Sequence, residues 1–137
     1  MSVTMLLLMA VLGLAFDLGR IYIARNEAQV FTDAAAMAAA SKLDGTAQGV
    51  ERAREIVNRV PMKWNLGTRQ FTGVVVEFSS DGGRWEANPK DAALTMARVT
   101  APSNQVDIWF LRAVGGPAVF TVPASAVAAT NPVRLIQ

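Results

Sequence analysis

The chain has 137 residues, of which 52% are hydrophobic, and it carries 13 basic against 11 acidic residues. Its charges are scattered singly, without the basic runs or interleaved aromatic residues typical of nucleic-acid binding, so no nucleic-acid partner is expected. The absence of Cys and His excludes disulfides, thiol nucleophiles and imidazole metal sites. We therefore expect no catalytic residues, no metal site and no cofactor, and the chain is predicted not to be an enzyme.

An apolar segment occupies the beginning of the chain. Residues 5–16 are wholly apolar, and Asp17 and Arg20 are the first charged residues. No proline interrupts this region, so the pattern predicts one continuous helix over about residues 2–43, which Gly45 ends. At about 1.5 Å per residue, such a helix is roughly twice as long as the hydrocarbon core of a bilayer is thick. About half of it is therefore expected to lie outside the membrane.

The rest of the chain predicts one short helix and an antiparallel sheet. Residues 46–60 place apolar side chains at helical spacing and predict an amphipathic helix. Stretches rich in β-branched and aromatic residues predict three strands, at 71–78, 93–101 and 118–129. Pro123 confines the last strand to a sheet edge or a bulge, because proline cannot donate to the ladder.

Two shorter segments complete this part of the chain. Residues 84–86 follow a glycine-rich turn and predict the start of a return strand, and 106–114 has a short helical or irregular character. The tryptophans are predicted to lie in the core, since large aromatic side chains usually do in small domains. They are Trp64, Trp85 and Trp109.

The predicted fold class is therefore α+β. It consists of a long N-terminal hydrophobic helix, a short amphipathic helix and a small antiparallel sheet. The predicted domains are a transmembrane and polymerisation helix at 1–43 and a small α+β head at 44–137.

The apolar N-terminal segment allows four interpretations. It has the length of a cleaved secretory signal, but no Lys or Arg precedes it and the helical pattern continues through the possible cleavage point at 13–15. A soluble core helix would need burial on every side. An ordinary single-pass anchor needs only apolar side chains. The fourth interpretation is a pilin-type helix, which lies in the membrane before assembly and in the centre of a filament afterwards.

Small residues favour the pilin-type helix, because they let helix backbones approach closely and lipid contact does not require them. The residues predicted to pack against neighbouring subunits are Met5, Leu8, Met9, Leu12, Gly13, Phe16, Ile23, Ala24, Ala28, Ala35 and Ala38. Asp17 and Arg20 are three residues apart on one face and are predicted to form a charge pair. The pair either satisfies itself within the helix or meets a neighbouring subunit, where it would fix the axial register.

Polar residues after the apolar run carry a family pattern. It begins with a D-x-G-R-x-Y motif and continues with a basic residue, a glutamine and an alanine-rich tail. The residues are Asp17, Gly19, Arg20, Tyr22, Arg25, Gln29 and the run 33–40. This stretch resembles the N-terminal region of TadG-like proteins of the tight-adherence (Flp-type) pilus systems, a branch of the type IV pilin superfamily.

The resemblance implies a structural, pilin-like subunit of an extracellular filament of identical or related copies. It also implies residence in the inner membrane before assembly, exposure at the cell surface afterwards, and contact with the pilus assembly machinery. A single-pass, membrane-anchored assembly factor with a periplasmic head is the alternative. One feature departs from the pattern, since Met5 stands where type IV pilins usually carry Glu. Arg20 and Arg25 after the span would by themselves place the head in the cytoplasm. The resemblance implies the opposite orientation, with the head exported, and this is the orientation we expect.

Overall fold

The protein is described from a computed structural model, which covers residues 2–60, 73–90 and 93–130. Its helices are α1 (Ser2–Ala40), α2 (Ala47–Arg59) and α3 (Phe110–Ala113), and its strands are β1 (Val75–Ser79), β2 (Met96–Asp107) and β3 (Val119–Ala129). One long helix, a second short helix and a small antiparallel sheet confirm the predicted α+β class. Trp64 and the first two residues of the predicted strand 71–78 lie outside the described residues.

Helix α1 is the largest element. Its 39 residues give it a length of about 58 Å. The helix was predicted to end at residue 43 and ends at Ala40. One further turn follows it, in which the N–H groups of Lys42 and Leu43 donate to carbonyls three residues back. Gly45 then adopts a φ of +81°, a conformation that glycine reaches without steric cost. The chain turns there and enters α2.

Helix α2 begins with a polar cap. The Thr46 hydroxyl accepts a hydrogen bond of 3.0 Å from the Gly49 N–H, which has no partner inside the helix. Asp44 in turn accepts hydrogen bonds from the Thr46 N–H (3.0 Å) and hydroxyl (2.6 Å), and it forms an ion pair with Arg52. The buried residues of α2 are Gly49, Val50, Ala53 and Val57. They confirm the predicted amphipathic helix.

The sheet has the order β1-β2-β3 with both pairs antiparallel. Strand β2 extends past its predicted end at residue 101, with a register shift between Ala101 and Asn104, the stretch that contains Pro102. Strand β3 is an edge strand, as Pro123 predicts. The predicted return strand at 84–86 is shorter than expected: only Glu86 pairs, in an isolated bridge with Phe78.

The second half of α1 lies in the core. Ala24, Ala28 and Ala35 are fully buried against the sheet, where Ala97 and Val99 are fully buried as well. Small side chains on both surfaces bring the helix close to the strands, and α2 covers the same core with its apolar face. The predicted division at residue 43 stays a prediction, but residues on both sides of it share this one core.

The tryptophans are less buried than predicted. Trp85 is half-buried, and its indole N–H donates to the Gly82 carbonyl at 3.1 Å. Trp109 is 63% exposed, so the prediction of a core position is wrong for this residue. The reason is its place in the chain: it lies on the connection between β2 and β3, beyond the region that α1 and the sheet enclose.

Candidate docking site between α1 and α3

Asp17 is the centre of a contact between the first half of α1 and the connection that contains α3. Its carboxylate accepts backbone hydrogen bonds from Trp109 (3.2 Å), Phe110 (2.8 Å) and Leu111 (2.7 Å). The first N–H groups of a helix have no intrahelical acceptor, and Trp109 at the N-cap position of α3 does not cap with its own side chain. A carboxylate more than 90 residues away supplies the cap instead. Asp17 itself is only 1% exposed.

Gly13 provides the space for this contact. An added Cβ at Gly13 would lie 2.6 Å from Cδ1 of Phe110, closer than carbon atoms approach each other. The Phe110 ring also meets Phe16 edge to face, with 5.8 Å between ring centroids and an angle of 80°. This arrangement is favoured for aromatic pairs. The glycine is therefore needed for the close approach of Phe110 to the α1 backbone.

Arg20 completes the contact on the side nearer the sheet. The centre of its guanidinium group lies 4.8 Å from the Trp109 ring centroid and 5.9 Å from that of Phe16. Both distances are within the range of cation–π attraction. Among the ion pairs formed by the described residues, none joins Arg20 to Asp17. Each of the two already has partners in its own chain, and the predicted role in register between subunits stays a prediction.

The residues predicted to pack against other subunits fall into two groups. Those that the chain leaves exposed are Met5, Leu8, Met9, Leu12, Phe16 and Ile23. Those that the chain itself covers are Gly13, which meets Phe110, and Ala24, Ala28 and Ala35, which lie in the core, while Ala38 is half-buried. Packing between subunits remains a prediction for both groups. The first group is available for it without any rearrangement.

One signal in the sequence points to the docking site. Gly13, Asp17 and Arg20 follow one another at intervals of four and three residues, so they interrupt one face of an otherwise apolar helix. From the sequence, Gly13 is predicted to pack against a neighbouring subunit, and Asp17 and Arg20 are predicted either to satisfy each other or to meet a neighbouring subunit. No local pattern shows that the partner of this face is residues 109–111 of the same chain.

Helix α1 is also the one helix of the described residues that is long and apolar enough to cross a membrane. The candidate span is Val3–Ala40, with a mean hydropathy of 1.9 in its most apolar window, and only 11% of that window is buried. A core helix of a soluble protein would be mostly buried. The first half of α1 therefore differs from a core helix, although the second half resembles one.

A protein-family model matches the part of the chain that forms this helix. The Tad family model, described as Flp pilus-assembly TadE/G-like, matches residues 1–42. The N-terminal segment is TadE/G-like. This match confirms the resemblance to Flp pilus-assembly proteins found in the sequence. It includes Gly13, Asp17 and Arg20, the whole α1 side of the docking site. No curated protein and no solved structure matches the chain.

Proposed function

We propose that the chain is a pilin-like structural subunit of a Tad-type filament, held in the inner membrane by α1 before assembly and polymerised through α1 afterwards. The first support is the projection of α1 beyond the head. Every side chain from Val3 to Leu12 is exposed, and nearly all of them are large and apolar. Their burial requires a bilayer or other protein chains, with a gain of about 1.5–3 kcal/mol for each large side chain.

The observation that carries the proposal is an exposed apolar stripe along the full length of α1. It is formed by Met5, Leu12, Phe16, Ile23, Val30 and Met37, all of them exposed. Successive members are seven or four residues apart, which places them on one face of the helix. The buried face, with Asp17 and Ala28, points in a different direction. The stripe is therefore uncovered from one end of the helix to the other.

The far end of the stripe distinguishes a filament subunit from a simple anchor. Val30 and Met37 are 68% and 62% exposed and lie beside the head, well past the first charged residues of the helix. A membrane anchor needs apolar side chains only inside the bilayer. Apolar side chains that continue beyond it at the same helical spacing suit a neighbouring helix. Parallel α1 helices in a filament would cover the whole stripe.

A charge placed in the stripe outside the membrane tests this proposal. Val30→Glu is expected to leave membrane insertion and the fold of the head intact but to remove the chain from sheared extracellular fibres. Val127→Glu is the matched control, since Val127 is also exposed but lies on β3. The control is expected to assemble normally. Electron microscopy and immunoblots of the sheared and membrane fractions measure both.

The alternative, a membrane-anchored assembly factor, predicts a different result. The unchanged chain would then stay in the membrane fraction, no fibre would contain it, and the two variants would behave alike. Cross-linking adds a direct measurement, because the chain has no cysteine of its own. Ile23→Cys is expected to give a disulfide-linked dimer in fibres, because each chain then carries a single thiol. A purely monomeric Ile23→Cys chain in intact fibres would contradict packing through the stripe.

A further inference from the structure

The connection between β2 and β3 exposes apolar side chains next to the projecting helix. Trp109, Phe110 and Val114 are 63%, 47% and 73% exposed. Their segment is not a free loop, since Asp17 accepts three of its backbone N–H groups and Phe110 sits on Gly13. The exposed apolar surface of α1 therefore continues sideways onto a rigidly attached second element.

The position of this element along α1 coincides with the end of the apolar span. From Val3 to Arg20 the helix rises by about 26 Å, close to the roughly 30 Å of a bilayer's hydrocarbon core. When the apolar segment occupies the bilayer, Arg20 therefore lies at its boundary. The contacts of α3 extend from Arg20, beside Trp109, to Gly13, beside Phe110. Phe110 is thus about 10 Å deeper than Arg20, within the layer that holds the upper acyl chains.

The chemistry of the segment suits that layer. Tryptophan and arginine are the side chains that anchor proteins at membrane interfaces, and here Arg20 stacks on Trp109. Arg112 is exposed on α3 and adds a second cation, so the segment matches anionic headgroups. Backbone N–H groups without acceptors would oppose entry into lipid. Asp17 supplies acceptors to three of them, so this cost is already offset inside the protein.

We infer that α3 and its flanking residues are a second membrane-contact element, which inserts into the interfacial layer of an anionic phospholipid bilayer beside α1. The segment sets how deep α1 lies, because it is fixed to the helix at Gly13 and Asp17. A head attached in this way sits against the membrane surface at a defined height. The inference rests on the proposed insertion of α1 into the membrane, and the experiment separates the two.

Single cysteines in this cysteine-free chain allow a depth measurement. The full-length chain is placed in liposomes of phosphatidylcholine and phosphatidylglycerol at low density, with a nitroxide label at Val114→Cys, Leu8→Cys or Val127→Cys. Collisions with oxygen, which is concentrated in lipid, and with a water-soluble nickel complex report depth. We expect the Leu8 label in the acyl region and the Val127 label in water. The Val114 label is expected within about 5–10 Å of the headgroup boundary.

Each result has a definite meaning. A Val114 label as accessible to the nickel complex as the Val127 label, with the Leu8 label in lipid, overturns the inference and leaves the insertion of α1 standing. A Leu8 label in water overturns both. A Val114 label shielded from both probes, with spin–spin broadening that grows with protein density, identifies a second copy as the partner and also overturns the inference. Loss of the interfacial position in liposomes of phosphatidylcholine alone is the result expected if Arg20 and Arg112 bind anionic headgroups.

Discussion

The carboxylate of Asp17 accepts a hydrogen bond of 2.7 Å from the backbone N–H of Leu111, 94 residues further along the chain. Asp17 lies in the first half of α1, next to the apolar segment, and Leu111 lies on the connection between two strands of the sheet. This contact fixes the orientation of the sheet relative to α1 at a second place, in addition to the alanine-rich core. The head is therefore held in one orientation relative to α1.

Substitution of Asp17 by Asn tests the role of its charge. The amide has one acceptor oxygen instead of two, and its NH₂ group faces N–H groups of α3 without being able to accept from them. Phe110 and Leu111 donate to one carboxylate oxygen and Trp109 donates to the other, so the single oxygen of Asn can serve only one of these two positions. We expect the amide proton of Trp109 to lose its protection from hydrogen exchange in detergent micelles, while the protection in β2 and β3 stays. Asp33→Asn is the control, because Asp33 is exposed on the same helix. Unchanged protection at Trp109 would contradict the capping role.

Two glycines of α1 are expected to respond in opposite directions to alanine. Gly13→Ala forces Phe110 away, since its Cβ would meet that ring at 2.6 Å. We expect a destabilisation of about 1–3 kcal/mol, typical of overpacking, reduced by the better helix propensity of alanine. Gly19→Ala has no described atom within 4 Å of its Cβ and is expected to stabilise by about 0.5–1 kcal/mol. Thermal unfolding in detergent measures both, and equal shifts would contradict the contact.

A large side chain at Gly13, as in Gly13→Leu, would not test subunit packing by itself, because it would also disturb the contact with Phe110. Its side chain would collide with Phe110 of the same chain before it reached a neighbour. Loss of fibres in that variant would follow from displacement of α3 as readily as from a blocked interface. Val30→Glu, in the exposed stripe, avoids this difficulty.

The alanine-rich half of α1 is expected to be sensitive within a single chain. Ala28 is fully buried against the sheet, so Ala28→Leu should destabilise the monomeric chain by about 1–3 kcal/mol. Val30→Leu, two residues away on the exposed stripe, should change the unfolding free energy by less than about 0.5 kcal/mol. Chemical unfolding in detergent, at concentrations where the chain is monomeric, measures the difference. A neutral Ala28→Leu would contradict the close packing of Ala28 within its own chain.

Acid is expected to destabilise the head through the corner between α1 and α2. The Thr46 hydroxyl and N–H, together with the Arg52 guanidinium, hold the pKa of Asp44 below its ordinary value of 3.8. The unfolded chain therefore binds this proton at a higher pH than the folded one. The stabilisation is complete above about pH 3.8 and is lost as the pH falls through the lower pKa of the folded state.

The variant Asp44→Asn isolates that contribution. Its unfolding free energy should fall less steeply than that of the unchanged chain between neutral pH and the region below 3.8. Urea unfolding followed by circular dichroism over this range measures the two profiles. Parallel profiles would show that Asp44 does not contribute to the acid sensitivity.

Much of the fold follows from local patterns. The continuous apolar and alanine-rich run predicted α1 to within three residues at its end, and the spacing of Val50, Ala53 and Val57 predicted α2. The glycines at turns and Pro123 on an edge strand have local causes too. The extension of β2 past Pro102 escaped prediction, because a register shift depends on the strand next to it.

The packing partners of the α1 side chains were harder to predict than the helix itself. The small residues Gly13, Ala24 and Ala28 indicate close packing. The aspartate in an apolar helix indicates that a hydrogen-bonding partner lies nearby. Both features are local chemistry, and they are visible in the chain of residues alone. Whether the surface that meets them belongs to a sister helix or to the head depends on where the chain folds back. That depends on contacts between residues more than 90 positions apart, such as Asp17 with Leu111, and these form only when the sheet packs against α1.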